Sequence, residues 1–127
     1  MASERRQTPR LEVNWPVRIK GKNGDLEAAV TNVSPKGAFI RCSKPLRLNE
    51  IFEMIITAPG RSIKARAEVI WSNTYGPDDH ITPRGMGVLF LRINSEDGLF
   101  IIKAIEDFTL LEVADTYLKE LEIGGKY

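Results

Sequence analysis

The chain has 127 residues, 43% of them hydrophobic and 28% charged, which suits one soluble globular domain with its own core and is too short for two ordinary ones. A formal net charge of +1 argues against a broad nucleic-acid footprint and leaves room for a small, focused anion site. With one cysteine, a charged N-terminus and no apolar run approaching ~18 residues, the sequence predicts no internal disulfide, no signal peptide, no membrane insertion and a reducing, cytoplasmic setting.

Residues 1–10 read as a flexible arm. Met1–Ser3 should fray, and Pro9 blocks a helix while pushing Thr8 into extended geometry. The arm carries Arg5, Arg6 and Arg10, planar forks that can grip a phosphate or a guanine edge and are ill-suited to packing a core.

Residues 11–94 read as a barrel. Leu11, Val13, Trp15, Val17 and Ile19 alternate with polar residues as a half-buried strand, and Pro16 marks an edge or a bulge. Asn23-Gly24 signals a hairpin into Leu26–Val30, with Leu26, Ala28 and Val30 inward. A loop, Asn32–Gly37, leads to a third strand with Ala38, Ile40 and Cys42 on one face, which makes Cys42 a small core residue. Phe52, Met54, Ile56 and Ala58 form a fourth strand. Ile63, Ala65, Ala67, Val69 and Trp71 form a long fifth, with Lys64, Arg66 and Glu68 outward. After a polar loop over 73–84, Met86, Val88 and Phe90 form a sixth. Six short strands with regular turns and no intervening helix predict a small six-stranded antiparallel β-barrel.

Residues 95–123 read as a long C-terminal α-helix, capped by Ser95 and stopped by Gly124-Gly125. Its first half would close one opening of the barrel. Its second half carries more apolar surface than a barrel this small can cover, and it either packs on a second copy or another protein's helix, or folds back on its own domain.

The Asn32–Gly37 loop holds the polar chemistry. Asn32 offers an amide donor and a carbonyl acceptor, Ser34 a hydroxyl, Pro35 stiffness, and Gly37 access to φ > 0 and close approach of a ligand. The same residues also suit a plain β-turn braced by side-chain bonds. No catalytic set appears: there is no nucleophile elbow, Walker loop or dinucleotide fingerprint, so the chain does not read as an enzyme. His80 is the single histidine and fits a solvated loop, since no second ligand completes a metal set. Trp15 and Trp71 fit the core, and Arg61, Lys64 and Arg66 a solvated face.

Taken together, Arg6-x-x-x-Arg10, Asn32-x-Ser34-x-x-Gly37, Val69-Ile70-Trp71 and Gly85-Met86-Gly87-Val88-Leu89-Phe90 resemble the PilZ domain over roughly Glu4–Ile93. Among ten arginines an Arg-x-x-x-Arg pattern arises about once by chance, so the order and spacing of the four pieces carry the resemblance. It implies a six-stranded barrel followed by helix, and binding of the bacterial second messenger cyclic di-GMP without any cofactor. Residue by residue, it implies that Arg6 and Arg10 grip phosphate and guanine edges and that Arg5 assists by stacking or a phosphate contact. Asn32 and Ser34 would read a guanine edge or hold the sugar-phosphate, and Gly37 would shape the loop. The family often has Asp where this chain has Asn32, which lacks a carboxylate able to accept from two guanine donors at once. The implied behaviour is a receptor whose arm closes on the ligand and signals to a partner protein in trans. Two alternatives stand beside it: a PilZ adaptor that binds no nucleotide and serves pilus assembly or motility, and a small DNA- or RNA-binding barrel, disfavoured by the near-neutral charge.

Overall fold

Strict alternation along six successive segments leaves one continuous apolar surface, and the sheet buries it by curling until its edges meet. The computed structural model describes residues 10–74, 76, 78 and 84–124, with the helix side chains described as far as Lys119. Strands β1 (Leu11–Ile19), β2 (Leu26–Val33), β3 (Gly37–Arg41), β4 (Ile51–Ala58), β5 (Arg61–Asn73) and β6 (Gly85–Ile93) form a closed antiparallel barrel in the order β1-β2-β3-β6-β5-β4. Closure removes the open edges that would otherwise invite pairing with another chain. The interior is filled by Val17, Ile19, Val30, Ile40, Met54, Ile56, Ile63, Val69, Met86 and their neighbours, all on the faces that alternation assigns. Gly24 and Gly60 turn the two tight hairpins with φ of 118° and 70°, a region in which side chains bearing a Cβ are strained.

Several expectations need correction. The Asn32–Gly37 loop is shorter than predicted: Asn32 and Val33 belong to β2 and Gly37 opens β3, so the turn proper is Ser34–Lys36. Leu26 is exposed at the mouth of the β1–β2 hairpin instead of inward. Pro16 lies on no free edge. It faces Ala29 of β2, just beyond the Val17–Ile19 stretch that pairs with β4, and a register shift between Glu12 and Trp15 precedes it. A second shift, between Val69 and Trp71, inserts Ile70 as an extra residue opposite β6. The bulge breaks the alternation, so Ile70 and Trp71 both face outward, and Trp71 is 46% exposed where a core position was expected. Cys42 is half-buried against the core, and burial pushes its thiol up to about 11.

Helix α1 (Ser95–Gly124) begins one residue later than its cap. Asn94, not Ser95, is the capping residue: its Oδ1 accepts from the Glu96 amide at 2.8 Å, and its carbonyl accepts from Gly98 at 2.9 Å. Ile101 and Ile105 are buried in the barrel core and Phe100 lies tilted against Trp15 at 6.2 Å, so the first turns plug one end. Arg61 is no solvated bystander. From the first position of β5 its Nε donates to Asp97 at 2.7 Å and its guanidinium lies 5.6 Å from the Phe100 ring centre, bolting the helix start to the barrel. From Glu106 to Lys119 every side chain is exposed, so the barrel does not cover the distal half. No described helix is long and apolar enough to cross a membrane.

Candidate functional site

The β2–β3 turn is built from its own side chain. The Ser34 hydroxyl accepts from the amides of Lys36 at 3.3 Å and Gly37 at 3.2 Å and lies 3.4 Å from the Gly37 carbonyl, to which it can donate. The Ser34 amide donates to that carbonyl at 2.8 Å, and the Phe90 amide donates to the Lys36 carbonyl at 2.8 Å. Ser34 therefore braces the turn, and the turn is tied down onto β6. Gly37 serves a purpose other than the one predicted. Its φ is not positive, and a Cβ there would collide with the Val88 carbonyl oxygen across the β3–β6 ladder. Glycine is needed so that two backbones can approach.

Beside this turn lies a cleft of about 420 Å³. Its polar side is formed by Arg10, Asn32, Ser34 and Lys36, and its apolar side by Phe39, Ile70, Trp71, Val88 and Leu89. The register explains why Arg10 arrives there. Leu11 pairs with Val33 and Glu12 with Asn32, so the residue before Leu11 emerges beside Ser34. Asn32 is half-buried, and its side-chain amide has no hydrogen-bond partner among the described residues. The Arg10 guanidinium likewise makes no ion pair among them. The structure thus brings together Arg10, Asn32, Ser34 and Gly37; Arg5 and Arg6 lie outside the described residues, as do Pro9 and His80.

Sequence reasoning missed the aromatic wall. Trp71 packs over Gly87, where a Cβ would sit in ordinary contact with the Trp71 Cβ at 3.6 Å, and its ring is 5.8 Å from Phe39 at 46°. Two large apolar residues in succession, Ile70-Trp71, were the available signal, since strict alternation cannot bury both. The lining holds two cations and no carboxylate, beside an exposed indole. That combination suits a ligand that is anionic and has aromatic faces. A larger cleft of about 600 Å³, rimmed by Lys20, Glu53, Lys64, Arg66 and Arg92, has no aromatic side chain. Glu53, opposite Arg66 in the β4–β5 ladder, sets a carboxylate among its cations, and it offers a base nothing to stack on. No cluster of three metal-ligating side chains occurs among the described residues.

The family model for the PilZ domain matches residues 4–110. Among solved structures, the chain is similar to the Bacillus subtilis inhibitor of motility MotI/DgrA, with 19% identity, a TM-score of 0.70, and coverage of 83% of this chain and 51% of that one. It is similar to YcgR from Escherichia coli, solved in complex with c-di-GMP, with 16% identity, a TM-score of 0.65, and coverage of 92% and 50%. It is similar to the PilZ domain of CeSA from a cellulose-synthesizing bacterium, with 18% identity, a TM-score of 0.52, and coverage of 79% and 97%. The chain spans about half the length of the first two structures, and at these identities the likeness is one of fold. No curated protein sequence matches the chain significantly.

Proposed function

The chain belongs to the PilZ domain family, a family of non-catalytic cyclic di-GMP receptors and adaptors, and from that membership we propose that it binds cyclic di-GMP between its N-terminal arginines and the β2–β3 cleft. The observation that carries the reading is the convergence of Arg10, Asn32 and the Ser34 turn on one cleft whose opposite wall is the exposed Trp71. Arg10, with Arg6 and Arg5 from the arm, supplies charge for the two phosphates and forks for guanine edges. Asn32 presents its side-chain amide to a guanine edge or the sugar-phosphate. The Trp71 face takes a base by stacking.

The magnitudes are compatible with a switch. Each charge-assisted bond contributes about 1.5–3 kcal/mol, while ordering an arm residue costs about 1–2 kcal/mol of backbone entropy. Several arginine contacts offset the ordering of a short arm and leave an affinity on the order of micromolar, about 8 kcal/mol. The arm closes on the ligand and so presents a surface for a partner that the free protein lacks.

Titration calorimetry with cyclic di-GMP on the intact chain, Arg6→Ala and Arg10→Ala tests the reading. Saturable heat from the intact chain, weakened at least tenfold in either variant, is expected. No heat from the intact chain defeats the ligand assignment and leaves an adaptor that works without nucleotide.

A further inference from the structure

The β2–β3 turn brings two polar side chains to the cleft, Ser34 and Lys36, and their situations are opposite. Ser34 has nothing left to offer a ligand. A hydroxyl holds two acceptor lone pairs and one proton. In Ser34 the lone pairs take the amides of Lys36 and Gly37, at 3.3 Å and 3.2 Å, and the proton faces the Gly37 carbonyl at 3.4 Å. The same bonds occupy the two backbone amides that an anion could otherwise find at a turn. While the turn is intact, neither this hydroxyl nor those amides can donate to a phosphate.

Lys36 is held at its root and free at its tip. Its amide is bound to the Ser34 oxygen, and its carbonyl accepts from the Phe90 amide of β6 at 2.8 Å. Pro35 before it has a fixed φ, and Gly37 after it is set against the Val88 carbonyl. The position from which the side chain starts is therefore fixed by its neighbours on both sides. Its ammonium is exposed and makes no hydrogen bond or ion pair among the described residues. No carboxylate competes for it in the lining; Glu12 stands opposite Asn32 in the β1–β2 ladder but is not part of the cleft wall. An ammonium is a compact point charge on a flexible stem, which suits a phosphate better than the planar edge of a base.

We infer that Lys36 contacts the ligand, holding a phosphate of the cyclic dinucleotide from the side of the turn, and that Ser34 is a positioning residue that acts only by setting the turn from which Lys36 reaches. The assignment rests on the nucleotide reading and deepens it. Arg10 enters the cleft from the start of β1 and Lys36 from the β2–β3 turn, so a ligand with two phosphates meets a cation from each side. The motif residue Ser34 and the residue Lys36 between its fixed positions thus divide the work, one shaping the wall and the other binding.

Calorimetry with cyclic di-GMP, at low and raised salt, is paired with urea unfolding on the intact chain and on Lys36→Ala, Lys36→Arg, Ser34→Ala and Ser34→Thr. Lys64→Ala, an exposed cation of β5 outside this cleft, controls for net charge. Lys36→Ala should weaken binding roughly tenfold, the weight of one charge-assisted bond, and leave the urea midpoint unchanged. The difference should shrink as salt rises, and Lys36→Arg should bind within about threefold of the intact chain. Ser34→Ala should lower the midpoint and the affinity together, and Ser34→Thr, which keeps the hydroxyl, should recover both. Lys64→Ala should bind as the intact chain does. Heat from the intact chain with unchanged affinity in Lys36→Ala removes Lys36 and leaves the nucleotide reading standing, whereas no heat from the intact chain removes both. A Lys36→Ala loss that is matched by Lys64→Ala, or that salt does not reduce, also overturns the assignment. So does a Ser34→Ala loss of affinity at an unchanged midpoint, since Ser34 would then touch the ligand itself.

Discussion

Gly37 leaves no space for a methyl group, because the Val88 carbonyl occupies the position. Gly37→Ala must therefore push β3 from β6 at the foot of the cleft. It should lower stability by about 1–3 kcal/mol, an overpacking cost read by urea unfolding, and weaken ligand through the displaced turn. Trp71 predicts a different balance. It lies outside the interior but packs on Phe39, so Trp71→Ala should cost about 1 kcal/mol in unfolding without displacing the turn, while weakening cyclic di-GMP by about 1–3 kcal/mol in calorimetry, the worth of one stacked base. Equal affinity in that variant would remove the indole from the site. Cys42 makes a pH prediction. Burial raises the folded thiol from 9.0 to about 11, so between these values the unfolded chain releases its proton first and stability falls as pH rises. Cys42→Ala should lose that part of the decline, and alkylation of the native thiol near neutral pH should be slow. A normal alkylation rate in the folded protein would contradict the buried assignment.

At the scale of elements, the barrel was readable because its strands are half-buried, and a half-buried strand writes its inner face as every second residue. The helix was readable from its spacing of apolar residues. What could not be read depended on residues far apart in sequence. The Ile70 bulge is defined against Gly87 on β6, and Arg61 finds Asp97 only because the β4–β5 turn comes to rest beside the helix start. The site divides the same way. Asn32, Ser34 and Gly37 were legible as a motif, but the aromatic wall needed the register of two strands. The cap was visible one residue from where it was expected, in Asn94 instead of Ser95. The Arg61 bolt has a measurable weight. Asp97 is only 8% exposed, so Arg61→Ala leaves its carboxylate nearly buried without its 2.7 Å partner. A loss of about 1–3 kcal/mol is expected, with Asp97→Asn in the same chain recovering part of it. Simple addition of the two losses would show that the residues act independently.

For the whole molecule, the decisive boundary runs through the helix and not at its start. Ile101 and Ile105 belong to the core, while no described side chain after Ile105 is buried. The family match also ends inside the helix, at residue 110. A chain ending at Phe108 keeps the plug, the Arg61–Asp97 bond and the whole β2–β3 cleft, and loses the exposed apolar strip of Leu110, Leu111, Val113, Tyr117 and Leu118. Removing the strip takes exposed apolar surface away from water and leaves the packed interior as it was, so the transition on heating should remain cooperative and shift by only a few degrees. Cyclic di-GMP affinity should stay within about twofold, because nothing that touches the cleft has been cut. If truncation instead abolished nucleotide binding, the two ends of the molecule would be coupled: a free-energy difference would pass from the helix through the barrel to the β2–β3 turn. The deleted half would then take part in ligand binding.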